Sequence, residues 1–143
     1  MKEKTDSCAE LAAELKKLLQ SIDNSIRQQQ IIQLLDTVSK NGTARFHKCL
    51  AVDAFTNSFL NQLKMTRGKI NKVKLKVMKP VERLRRERSE KMMLALIQIW
   101  ADTFMMEEDT YPGFQKIYRL LRKESVAFPM RDPNIRMFME NIC

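Results

Sequence analysis

The chain has 143 residues, which suits one domain, and its 44% apolar content is enough to fill a core. Three glycines and four prolines disfavour the turn-rich all-β classes, and no apolar run is long enough to predict a membrane-spanning helix. The formal net charge is +9, and Cys8, Cys49 and Cys143 are odd in number, far apart and without CxxC spacing, so they read as reduced thiols in a cytosolic protein.

The N-terminal run MKEKTDSCAELAAELKK is charged and lacks the apolar core of a secretory signal. Within it, Ser7 and Glu10 have capping-box spacing, which predicts a helix start at Ser7. Cys8, Leu11, Ala12, Leu15, Leu18, Leu19 and Ile22 follow as one apolar stripe. A second helix is predicted with Ile31, Leu34, Leu35 and Val38 on its buried face, ending at Lys40-Asn41-Gly42 in a left-handed C-cap. A short helix then carries Phe46, Cys49 and Leu50. Asp53 is the expected N-cap of the next, whose inward face is Phe55, Phe59, Leu60 and Leu63.

Pro80, inside the segment 64–91, suits a first helical turn, and Met93, Leu96, Ile97, Trp100 and Phe104 form the stripe of the long helix it opens. Thr110 and Pro112 open another, with Phe114, Ile117, Tyr118 and Leu121 inward. Asp132-Pro133 starts a last one, with Ile135, Phe138, Met139 and Ile142 on its face. About seven helices joined by short connections predict an all-α domain, stacked as a right-handed solenoid or compact bundle. The only alternating stretch, Lys72 to Val77, has no partner strand and reads as an extended loop or a frayed helix start.

The charge is not evenly spread. Between Lys64 and Lys91 there are 12 basic residues against Glu82, Glu87 and Glu90, while the rest of the chain balances. The basic insertion at about 64–91 therefore holds the whole excess. Lys69, Lys72, Lys74, Lys76, Lys79, Arg83, Arg85 and Arg86 are the candidate phosphate- or lipid-binding residues. Lysine supplies point charges and arginine bidentate forks, a mixture suited to phosphoinositide headgroups. Each basic residue near an anionic leaflet gains about 1 kcal/mol, and Val73, Leu75 and Val77 could dip into the interface. Nucleic acid fits less well, because no aromatics are interleaved with the cations. A solvated loop without a ligand is the plain alternative.

Other groups offer little chemistry. Trp100, Phe104, Tyr118 and Phe128 have the helical spacing of core residues rather than of a stacking site. His47 and Cys49 are two potential ligands where a closed zinc site needs four, so no metal or cofactor is expected, and His47 is expected to hydrogen-bond locally. With a single histidine and no Gly-rich phosphate loop, GxSxG or HExxH, the chain is not expected to be an enzyme. Glu107, Glu108 and Asp109 read as charges favourable to the next helix N-terminus.

Arg45-Phe46-His47 through Leu63, Leu96-Ile97-x-x-Trp100-x-x-x-Phe104, and Tyr118-x-x-Leu121 followed by Phe128-Pro129 occur in the order found in VHS domains. The chain resembles that family, in the ENTH/ANTH/VHS group of membrane-trafficking adaptors, over residues 24 to 130. The resemblance implies a right-handed α-superhelix and a non-catalytic adaptor in vesicle trafficking and protein sorting. It also implies a cytoplasmic protein associated peripherally with endosomal or Golgi membranes that recognises cargo or ubiquitin. The family's first helix, with its acidic-Trp contribution to the ubiquitin surface, has no counterpart here, so no ubiquitin-contact residue is carried over. The alternative expectation is a nuclear helical module that binds RNA or the phosphorylated tail of RNA polymerase.

Overall fold

The computed structural model describes residues 2–22, 24–67 and 78–131. Among them are six helices and no strand: α1 Lys2–Gln20, α2 Ser25–Asn41, α3 Ala44–Leu50, α4 Asp53–Arg67, α5 Pro80–Thr103 and α6 Pro112–Lys123. The expected seventh helix from Asp132, the alternating stretch Lys72 to Val77, and Cys143 lie outside the described residues.

Helix α5 organises the rest. It packs along α2 and also meets α4 and α6, while α1 lies against α3 and α4. The 3.6-residue periodicity that marks the inward faces holds closely. Phe55, Phe59, Leu60 and Leu63 of α4 are buried with Met93, Leu96, Ile97 and Trp100 of α5, and with Phe104 just beyond its end. Stripes on the outer helices are narrower than expected: Leu11 and Leu34 remain 46% and 42% exposed, each at the edge of its helix's buried face.

The far end of α5 is an aromatic stack. Trp100 lies 4.8 Å from Phe114 in a stacked pair and meets Phe59 edge-on at 5.1 Å. Phe104 continues the stack to Phe114 and Tyr111. Gly113 allows α6 to close over it. A Cβ there would stand 2.2 Å from the Ala51 carbonyl oxygen, which instead accepts the Gly113 N–H at 2.8 Å. Tyr118 and Phe128 are peripheral to this stack. They are half-buried and pair with each other at 5.0 Å.

Helix ends depart from the sequence reading. Helix α1 starts at Lys2, so Ser7 lies inside it rather than capping it; Lys and Glu upstream are good helix formers that carry the helix past the capping-box spacing. Gly42 is extended (φ −80°, ψ 164°), not left-handed, because Thr43 immediately caps α3 by accepting the Phe46 N–H. Its missing side chain matters for space: a Cβ would lie 2.7 Å from both the Val38 oxygen and the Phe46 ring. Asp53 is the first residue of α4 rather than its cap, since the Val52 carbonyl accepts the Phe55 and Thr56 N–H groups. Asp53 instead pairs with Lys116 of α6 at 3.1 Å. Pro112, not Thr110, opens α6.

Candidate anion-binding surface

The described residues stop at Arg67, the end of α4, and resume at Met78, next to Lys79, the N-cap of α5. Of the eight candidate residues, Lys69, Lys72, Lys74 and Lys76 lie outside the described residues. The other four sit on or beside the first two turns of α5, where the helix separates them by direction.

Lys79 is the N-cap residue, extended as a residue before proline must be, and exposed. Pro80 at the first helical position needs no N–H partner, so the helix starts without a side-chain cap. Arg83 is exposed on the outer face. Arg85 and Arg86 are consecutive and therefore about 100° apart around the helix. Arg85 lines a groove between the starts of α2 and α5. Arg86 turns toward α4 and donates to the Thr66 carbonyl oxygen at 2.7 Å, satisfying one of the orphan carbonyls at that helix end. Arg86 therefore contributes to holding the fold, while Arg85, equally half-buried, lines the groove without a partner among the described residues.

The groove is about 700 Å³ in volume. Asn24, the N-cap of α2, with Ser25, Ile26, Arg27 and Gln30 lines one side; Lys79, Val81, Glu82 and Arg85 line the other. Three cations thus face one carboxylate. Lys79, Arg85 and Arg27 have no side-chain partner among the described residues, and neither does Arg88 one turn further on. Arg27 was not among the expected residues. It belongs to the first turn of α2, fixed by Asn24, whose side-chain oxygen accepts the Arg27 N–H at 2.8 Å.

Beside the groove runs a buried polar seam. The Gln28 amide donates to Thr66 Oγ1 at 2.6 Å, Thr66 Oγ1 donates to the Gln62 carbonyl at 2.8 Å, and the Gln62 amide donates to the Leu19 carbonyl at 2.8 Å. These bonds tie α2, α4 and α1 together behind the cationic face and hold the helix that carries Arg27.

Several cations elsewhere are engaged by carboxylates, whereas Lys16, Arg45, Lys48, Lys91 and Lys123 have no side-chain partner among the described residues and line no groove with other cations. Arg67 binds Glu90 at 2.7 Å and Lys64 meets Glu124. Arg131 grips Asp102 through two nitrogens and donates to the Tyr118 hydroxyl, which holds its guanidinium more firmly protonated than usual. Glu108 accepts from both terminal nitrogens of Arg119, which holds its carboxyl below the usual carboxylate range. The acidic triplet thus contributes a specific ion pair in addition to any helix-end effect.

His47 is fully buried. Its Nδ1 and Nε2 lie 2.6 Å from the carbonyl oxygens of Thr43 and Ser39 respectively, so it joins α3 to the end of α2. Cys49 is half-buried, and burial first, then the nearby Cys8, pushes its thiol up. Among the described residues no cluster of three or more His, Cys, Asp or Glu could hold a metal ion, and no helix is long and apolar enough to cross a membrane. Comparison with protein-family models, curated proteins and solved structures gives no match for this chain.

Proposed function

We propose that this chain is a non-catalytic adaptor module of the VHS-like, right-handed superhelical kind, docking on anionic phosphoinositide-bearing membranes of the endosomal or Golgi system. The basic insertion is its point of contact, and cargo or ubiquitin recognition is left to other surfaces. One observation carries the reading: Lys79, Arg85 and Arg27 converge on one open groove without partners among the described residues, next to the point where the lysine-rich stretch meets the fold. Other unpaired cations among the described residues are scattered; these three line one groove, where a single phosphate could reach them together.

Charge reversal tests it. The wild-type chain should co-sediment with vesicles containing phosphatidylserine or phosphoinositide, and less so as salt rises. Replacing Lys74, Lys76, Lys79 and Arg85 by Glu should weaken binding by roughly a thousandfold or more, on the basis of about 1 kcal/mol per charge, while leaving the helical circular dichroism intact. Equal binding by the variant removes the site. Tight, steeply salt-dependent binding to RNA with none to vesicles favours the nuclear module instead.

A further inference from the structure

We infer that Ile26, Val81 and Leu84 form an apolar wedge that enters the headgroup boundary of an anionic bilayer. This deepens the membrane-docking reading and rests on it. These side chains are 51%, 59% and 47% exposed, and apolar residues exposed as a group rather than singly mark an interaction surface. They are also close in the fold. Ile26 lies in the first turn of α2, Val81 in the first turn of α5 directly across the groove, and Leu84 one turn along α5 from Val81.

Their setting identifies the occupant. Arg27, Lys79 and Arg85 lie around the apolar group, and among the described residues Glu82 is the only carboxylate on the groove, so the local charge favours an anionic surface. A helical peptide partner fits less well. The stretch from Lys79 to Arg85 is about 9 Å long, too short to seat anchors spaced over two turns, and no aromatic anchor lines it among the described residues. A lipid interface needs neither. It takes small apolar side chains at the acyl boundary while lysine and arginine, snorkelling outward, meet the phosphates. Membrane attachment then has two parts: a salt-sensitive attraction through the cations and a salt-resistant one through the wedge.

The test uses the full chain and vesicles of phosphatidylcholine with phosphatidylserine. Substituting Ile26→Ser, Val81→Ser and Leu84→Ser together should weaken partitioning about 30- to 100-fold and leave a residual binding that high salt abolishes, whereas the wild-type chain keeps part of its binding at high salt. In a separate L84W variant the new indole should shift to the blue and be quenched by brominated acyl chains. Native Trp100 is fully buried and supplies an unquenched background. Should the triple variant lose its helical signal, quenching in L84W decides alone. Wild-type binding combined with an unquenched L84W and an unimpaired triple variant overturns the wedge and leaves electrostatic docking standing. No binding by the wild-type chain overturns both.

Discussion

The two halves of α5 are parts of one continuous helix about 36 Å long, yet they follow opposite rules. From Pro80 to Arg88 every side chain is exposed or half-buried, and the cations there mostly lack carboxylate partners among the described residues. From Ser89 to Thr103 the helix is buried on most of its circumference, and the charges near its far end are paired: Asp102 with Arg131, and beyond it Glu108 with Arg119. The difference separates residues that build the domain from residues left available to something outside it. A cation held by a carboxylate has its field largely cancelled locally, whereas one without a partner projects it into solvent.

The largest effect that would sharpen this contrast lies in the far half. Trp100→Ala should cost about 3–5 kcal/mol, because it opens a cavity between Phe59 and Phe114; urea unfolding followed by circular dichroism would measure it. Trp100 Nε1 has no hydrogen-bond partner among the described residues, so the loss is one of packing alone. A similarly large cost from Arg85→Ala would break the contrast, since a surface change of that kind is expected within about 0.5 kcal/mol.

Next comes Gly113→Ala on the helix that closes the aromatic stack. The added methyl would meet a backbone carbonyl, which cannot move aside as a side-chain tip can, and it would strain the Gly113–Ala51 hydrogen bond. A destabilisation of about 1–3 kcal/mol is expected in thermal melts. In the near half the counterpart is Thr66→Val. It removes the acceptor of the buried Gln28 amide and leaves a donor unsatisfied, a cost of about 1–3 kcal/mol. Because the seam holds α2 against α4 beside the groove, this variant should also weaken vesicle binding, which Gly113→Ala should not do among the molecules that remain folded.

How far all this can be read from the chain depends on distance along it. Inward faces such as Phe55-Phe59-Leu63 or Met93-Ile97-Trp100 are local patterns set by helix geometry, and they are found where periodicity places them. Helix ends are less legible, because the same residues serve several motifs. Ser7 and Glu10 satisfy a capping pattern inside a helix that had already begun, and Gly42 is required by the approach of Phe46 rather than by its own dihedral angles. The candidate surface is legible only in part. The charge excess marks the start of α5, but which of Arg85 and Arg86 finds a partner depends on where α4 ends in space. Arg27 and Ile26 reach the groove through packing between helices remote in sequence, which no local pattern encodes.

The smallest expected effect tests whether the far-end pairs behave as structural charges. Glu108 accepts from Arg119 at an exposed site, and that hydrogen bond, more than simple charge attraction, holds its carboxyl below the usual carboxylate range. A carboxyl lowered in the folded state contributes stability that is fully present above its unfolded value and disappears as pH falls through its folded value. Glu108→Gln should therefore lower Tm slightly at neutral pH, by about 2 °C or less, given that solvent screens the pair. On acidification below the carboxylate range the wild-type curve should fall toward that of the variant, and the two should meet once Glu108 is protonated. Melting curves from neutral to acid pH, repeated at high salt, would show the gap closing in both directions. A gap that persisted in acid would mean that Glu108 acts through packing, and the paired end would then owe less to charge than its geometry indicates.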